Sequence, residues 1–212
     1  ENGCCYCFVE ESGERTFIVE HGAEYLFYKE WFDQLKTEKL SGVYICGLEI
    51  EDKTGGTIVD FLEAHPNLPV FYGPGPRLKM IPEDLMQRIF ALRPVVHLNE
   101  DEVCRYTGCD SIEEAAKALF SKTRNTVIVT NGENGAFFYD GEDFIHVPPV
   151  PAESVVDTIG AGDAHMGAVI AGLARGESLY DSIYKANAAA ALVVSRKGGT
   201  VTDEDFKSAG IL

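Results

Sequence analysis

Apolar runs at residues 42–47, 69–72, 95–98 and 126–130 are separated by stretches of helical periodicity, and this alternation constrains the chain more than any other feature. Runs of four to six residues dominated by Val, Ile, Tyr and Phe suit strands covered on both faces. Between them, residues 57–64 read as a helix, residues 82–92 as a helix with proline near its start, and residues 111–122 as a helix opened by the capping box Ser111-Ile112-Glu113-Glu114. A further amphipathic stretch spans residues 28–35. Strands joined through helices imply crossover connections, hence an α/β fold with a doubly wound, mainly parallel sheet flanked by helices.

The alternation ends after Thr130. Ala136–Tyr139 and Phe144–Val147 flank Asp140-Gly141-Glu142-Asp143 and predict a hairpin. From Gly160 the chain is almost wholly helical, with Leu179–Val194 and Asp203–Ser208 as its last two helices. Ahead of all this, Cys4–Val9 and residues 16–20 are β-prone and joined by the polar loop 10–15, which reads as another hairpin.

At the start of the helical region stands Asp157-Thr158-Ile159-Gly160-Ala161-Gly162-Asp163-Ala164. Two glycines around an alanine let the backbone turn tightly and bring main-chain N–H groups close to a ligand. The pattern that follows is helical, so this nest sits at a helix N-terminus, where unpaired N–H groups and the dipole favour anions. Asp163 falls in the first turn, where the dipole favours its charged form by roughly 0.3–1 kcal/mol. A proton acceptor beside an anion hole suggests phosphoryl transfer. The plainer reading is a glycine-rich turn capping a buried helix.

The octet resembles the C-terminal signature of the ribokinase family, the PfkB-type carbohydrate kinases. That resemblance implies a ribokinase-like fold in which Asp163 is the catalytic base and the backbone of Gly160, Ala161 and Gly162 holds the transferring phosphate. It also implies that the first hairpin, residues 1–23, is part of a β lid over the acceptor, and that residues 24–212 are an α/β core incomplete on its N-terminal side. The alternative for the hairpin is an edge of the main sheet.

In an open parallel sheet, ligands collect beyond the C-terminal ends of the strands. Asn99 directly follows one strand and Glu102 lies one helical turn further, so the two share a face. An amide and a carboxylate so placed suit a hydrated Mg²⁺, and equally suit an N-cap with its capping box. Asn99-x-x-Glu102 matches the family's N-x-x-E motif. Thr130-Asn131-Gly132-Glu133-Asn134-Gly135 follows the next strand and resembles the family's T-x-G-x-x-G stretch beside the ATP phosphates, with Asn131 in place of an apolar residue. Its glycines equally suit a loop with special backbone angles. Asn187 and the alanines after it, then Gly198 and Gly199, resemble the family's adenine-side helix and glycine turn, although small side chains serve helix packing as well. The resemblance therefore implies nucleotide contacts at Thr130, Gly132, Gly135, Thr158, Asn187 and Gly198. It further implies K⁺ at Asp157 with carbonyls near Val193, Gly198 and Thr202. His165 stands where the family shows an aromatic residue and reads as a packing variant.

Several functions are disfavoured. With 18 basic against 34 acidic residues the net charge is -16, and without a basic stripe the chain is not expected to bind nucleic acid. No apolar run approaches the roughly 20 residues that span a bilayer. Neither G-x-x-x-x-G-K-[ST] nor G-x-G-x-x-G occurs, which argues against a P-loop enzyme and a dinucleotide-dependent oxidoreductase. Cys4 and Cys7 have C-x-x-C spacing within a strand pattern but lack a second ligand pair, so the six cysteines read as reduced thiols of a cytoplasmic protein. The expected activity is ATP-dependent phosphorylation of a primary hydroxyl of a sugar or sugar-like molecule, with a nucleoside kinase or a non-catalytic nucleotide- or metabolite-binding protein as alternatives.

The chain begins Glu1-Asn2-Gly3 and enters a strand at once. The resemblance covers the C-terminal two-thirds of a family member, so the expectation is a piece of a longer chain. A sheet lacking inner strands exposes backbone edges that favour pairing with another copy, and a homodimer through the lid is a further expectation.

Overall fold

The computed structural model describes residues 1–9 and 15–211, so the loop at residues 10–14, part of the expected first turn, lies outside the described residues. β1 (Cys4–Val9) and β2 (Arg15–Glu20) pair antiparallel as a separate two-stranded sheet, not as an edge of the main one. Both of its faces carry exposed apolar side chains, among them Tyr6, Phe8, Phe17 and Ile18, each more than half exposed. The segment that follows is pinned to the main body. His21 Nδ1 meets Asp52 Oδ2 at 3.2 Å, and the Thr54 hydroxyl donates to the Tyr25 carbonyl while accepting from the Phe27 N–H.

The main sheet has the order β3 (Val43–Cys46), β4 (Val70–Gly73), β5 (Val95–Asn99), β6 (Val127–Thr130), β7 (Ala136–Tyr139), β8 (Phe144–Val147). The first four are parallel, and β7 and β8 add antiparallel. Its crossovers run through α2 (Gly47–Glu51) and α3 (Gly55–Ala64), then α4 (Glu83–Ala91), then α5 (Glu100–Thr107) and α6 (Ile112–Thr123). Right-handed crossovers that all step in one direction place their helices on one face. Ile58, Leu62, Met86, Ile89 and Leu119 accordingly share one core with strand residues Tyr72, Leu98 and Val129. Strand neighbours with the opposite parity, Phe71 and Ile128, pack on the other face with Met166, Val169, Ile183 and Ala186. Those residues belong to α7 (Ala161–Ala174) and α8 (Leu179–Val194), which are followed by α9 (Asp203–Ser208). Helices therefore cover both faces of a mainly parallel sheet.

Local chemistry explains most element boundaries. Ser178 and Thr202 cap α8 and α9 by accepting from the Asp181 and Asp205 N–H groups. The Asp140 carboxylate folds the turn between β7 and β8 by accepting from the Glu142 and Asp143 N–H groups. At α6 only the serine half of the expected box forms, with Ser111 accepting from the Glu114 N–H. The amphipathic stretch at 28–35 does not form a full helix. Its single α-turn, α1 (Lys29–Phe32), passes at once into tighter turns, in which the Gln34 and Leu35 N–H groups bond three residues back to Trp31 and Phe32. Four residues with no buried side chain cannot repay helix nucleation.

Ile128 is fully buried between the sheet and the helices that carry the candidate site. Ile128→Ala is expected to cost about 2–5 kcal/mol, read as a lower urea midpoint at unchanged m-value. A loss below about 0.5 kcal/mol would show that this layer is loosely packed.

Candidate active site

Gly160 is the N-cap of α7 and adopts φ 77°, a left-handed conformation that costs an L-residue with a side chain roughly 1–2 kcal/mol. It also lies against a second glycine. A Cβ on Gly160 would stand 2.9 Å from the Gly199 Cα, and one on Gly199 would stand 3.2 Å from the Gly160 Cα. The two turns thus touch backbone to backbone. Asp157 ties them: one carboxylate oxygen accepts from the Ile159 N–H at 3.0 Å and the other from the Gly198 N–H at 3.1 Å. Behind this, the Val156 and Asp157 N–H groups both donate to the Val194 carbonyl at the end of α8.

No side chain caps α7, and a Cβ on Gly162 would meet nothing within 4 Å. The first turn therefore presents backbone to open space. Asp163 in that turn is exposed. Its charge reaches the end of β3. Burial and a hydrogen bond with Cys46 push the Tyr44 phenol up, and burial drives the Cys46 thiol to about 11, with the Asp163 and Glu49 carboxylates adding to both shifts.

Asn99 and Glu102 form a complete capping box at α5. Asn99 Oδ1 accepts from the Glu102 N–H at 2.8 Å, and Glu102 Oε2 accepts from the Asn99 N–H at 3.0 Å. Burial raises the Glu102 carboxyl above its ordinary value, against the pull of the Asn99 N–H and of Arg105. Its other oxygen, Oε1, lies beside Gly75, where an added Cβ would approach to 3.8 Å. Thr130 is the register partner of Asn99, so the two stand side by side at the end of the sheet. In the loop after Thr130 the two glycines differ. A Cβ on Gly135 would come within 2.4 Å of the Val147 carbonyl, so packing alone demands glycine there, whereas Gly132 faces open space.

The alanine-rich helix α8 borders a cleft of about 250 Å³, walled by Ala188, Ala191 and Leu192, by the segment from Val150 to Glu153 and by Ser208 and Ala209. Arg196 and Asp205 close one end with a 3.4 Å ion pair. The side chain of Asn187 points elsewhere. It is buried, and its amide donates to the carbonyls of Val147 and Pro148. Its Oδ1 lies 3.2 Å from His165 Nε2, and His165 Nδ1 lies 3.0 Å from His97 Nε2. His165 packs in the core as expected, and it is also hydrogen-bonded at both nitrogens. Sequence reasoning passed over His97, although a lone imidazole inside the apolar run Val95-Val96-His97-Leu98 was the available signal.

The architecture and the octet together define one arrangement: a mainly parallel sheet between helix layers, with a glycine nest and an exposed carboxylate at the start of α7, the helix that follows the last strand. The family description pfkB family carbohydrate kinase matches residues 1–205, and the chain belongs to that family. It is 36% identical over 203 residues to the uncharacterised sugar kinase YegV of Escherichia coli K12, covering 94% of this chain and 63% of that relative. It is 29% identical to a ribokinase of Arabidopsis thaliana, covering 97% of this chain and 55% of that one. In fold it resembles the ribokinase structure from Giardia lamblia, with a TM-score of 0.82 at 20% identity over 98% of this chain and 72% of the other. The chain thus spans less than two thirds of the length of these two sequence relatives. Among the described residues no helix is long and apolar enough to cross a membrane.

Two outcomes follow. Gly160→Ala is expected to destabilise the protein by roughly 1–3 kcal/mol, because the new methyl meets Gly199 as well as an unfavourable φ; a thermal midpoint within 1 °C of wild type, on the order of 0.2 kcal/mol, would contradict this. Burial lowers His97 well below the ordinary histidine value and His165 to about 4. Between about pH 6.5 and pH 4 the unfolded chain then binds more protons than the folded one, so stability falls as pH falls. His165 alone should cost about 2 kcal/mol between pH 7 and 5, read as a urea midpoint that drops more steeply than in His165→Phe. Parallel profiles would contradict it.

Proposed function

We propose that the full protein transfers the γ-phosphoryl group of ATP to a primary hydroxyl of a sugar or nucleoside. The observation that carries this reading is the N-terminus of α7, which no side chain caps, with Gly162 open to the surface and Asp163 exposed in the first turn. Those residues form the octet from Asp157 to Ala164 in a chain of the pfkB family, and the relatives named above are sugar kinases.

In this reading Asp163 takes the proton of the acceptor hydroxyl as its oxygen attacks phosphorus, and the N–H groups of Gly160, Ala161 and Gly162 hold the phosphoryl oxygens. The helix dipole adds to that field. The transition state is loose, so positioning and charge neutralisation carry most of the acceleration, and the base adds about 10²–10⁴-fold. The adenine lies in the cleft against Ala188 and Ala191, on the helix that Asn187 anchors to the Val147 and Pro148 carbonyls. From there the phosphates pass Gly198 and Thr158 toward the nest, with Thr130, Gly132 and Gly135 bordering their path.

Mg²⁺, when bound, neutralises charge on the phosphates. Asn99 and Glu102 fit it: both sit at the C-terminal edge of the sheet, and a carboxylate whose burial disfavours its charge gains from a nearby cation. They would hold it through water, because both side chains also serve the capping box. K⁺ would lie at Asp157, the carboxylate that joins the two glycine turns, with carbonyls near Val193, Gly198 and Thr202. The hairpin of residues 1–23 acts as a lid over residues 24–212, and its two apolar faces support closure over the acceptor and pairing with a second copy. A cytoplasmic location fits the cysteines, all of which are free thiols.

The test is Asp163→Asn in the full-length protein, assayed with ATP against a panel of pentoses, hexoses and nucleosides. Turnover should drop by about 10²–10⁴-fold with the KM for ATP little changed. Activity within a few-fold of wild type would remove Asp163 as the base, and no ATP-dependent phosphorylation of any acceptor by the wild type would remove the kinase reading.

A further inference from the structure

We infer that His165 is a positioning residue, which aligns the base and phosphate nest on α7 with the end of the sheet through a buried hydrogen-bonded chain. This rests on the function proposed above for Asp163 and the α7 N-terminus.

The chain has four links. Asn187 uses its NH₂ on the Val147 and Pro148 carbonyls, at 3.3 and 2.8 Å. That fixes the amide orientation, so Oδ1 is what faces His165. An acceptor there requires His165 to carry its proton on Nε2 and donate across 3.2 Å. With both imidazoles neutral, His165 Nδ1 is then an acceptor, and His97 must donate from its own Nε2 across 3.0 Å. One direction of donation runs from β5 through α7 to α8 and on to the exit of β8.

Each histidine stands two residues from the proposed chemistry. His97 precedes Asn99 on the same face of β5, and His165 follows Asp163 within the first turns of α7. Both imidazoles are buried, at 7% and 1% exposure, in a layer otherwise filled by Phe71, Ile128, Met166 and Val169. Apolar contacts there are non-directional and tolerate small slides of the helix. Hydrogen bonds at both nitrogens of one imidazole fix its rotation and height instead, and through it the register of α7 against the sheet. Within about 1 Å such alignment decides whether a base and a phosphate meet productively, and an error of that size costs up to about 10²-fold.

Three variants of the full-length protein separate this from mere packing. His165→Phe keeps the aromatic bulk and removes both hydrogen bonds. His165→Gln keeps a donor for Asn187 and an acceptor for His97 on a less bulky chain. His97→Leu breaks the link from the strand side and decides the matter if His165→Phe does not fold. With the best acceptor of the panel, Phe and Leu should each lower kcat about tenfold with the KM for ATP within twofold, and Gln should recover most of that loss. In ¹⁵N spectra of the wild type, both imidazoles should show the neutral Nε2–H form, and the amide signals of Gly162, Asp163 and Asn99 should move in the Phe variant and return in the Gln variant. If no acceptor is phosphorylated, the functional reading fails while the amide signals still decide the positioning role. Wild-type kcat or unmoved amides in both the Phe and Leu variants, or a Gln variant no better than Phe, would overturn the inference.

Discussion

Two backbones without side chains meet where Gly160 touches Gly199, and the rest of the site depends on that contact. The left-handed turn at Gly160 aims the start of α7 outward, and the second glycine lets the turn after α8 come up against it. Asp157 then bonds to an N–H on each side. A bulkier residue at either glycine would separate α7's first turn from the turn that follows α8. The field at that N-terminus is useful only because nothing caps it. A serine or aspartate in the place of Gly160 would satisfy the free N–H groups internally and leave less for a ligand.

The two faces of the sheet divide the work. Crossover helices α3 to α6 pack on one side with an almost wholly aliphatic and aromatic core, and the direct passage from β5 into α5 sets Asn99 and Glu102 at the C-terminal edge. On the other side α7 and α8 carry the nest and the cleft, and this layer contains the buried polar chain of His97, His165 and Asn187. Burying polar groups without partners would be costly, but here each inner link has a partner at 3.0–3.3 Å. The polar chain thus joins β5, the strand that ends in Asn99, to α7, the helix that carries Asp163.

Much of this was legible in the chain. The strands declared themselves because continuous apolar runs of four to six residues leave few alternatives, and β7, β8, α8 and α9 matched their expected limits because Asp140, Ser178 and Thr202 supply the turn and caps chemically. Other features were hidden for identifiable reasons. The stretch at 28–35 has a helical stripe, but of it only Phe32 packs on the core, against Phe61, while Tyr28, Trp31 and Leu35 stay exposed. The short helix α2 follows β3 without a break, and its only announcement is the Cys46–Glu49 box, an unusual pairing. In α8 small residues occupy most faces, so periodicity could not show that Ala188 and Ala191 line a cleft while Asn187 turns to the core. Periodicity reveals which residues share a face and leaves open what that face meets. Gly132 and Gly135 show the same limit, since identical residues in one motif serve open space and close packing respectively.

The central claim, that the first turn of α7 closes around a phosphoryl group in transit, is open to one direct measurement. Backbone ¹H–¹⁵N spectra of the full-length protein can be compared with ADP alone and with ADP, Mg²⁺ and aluminium fluoride, a mimic of the transferring group. The account predicts that the Gly160, Ala161 and Gly162 amides shift strongly downfield only when the fluoride complex is present. Shifts confined to the residues lining the α8 cleft, with those three amides unmoved, would contradict it.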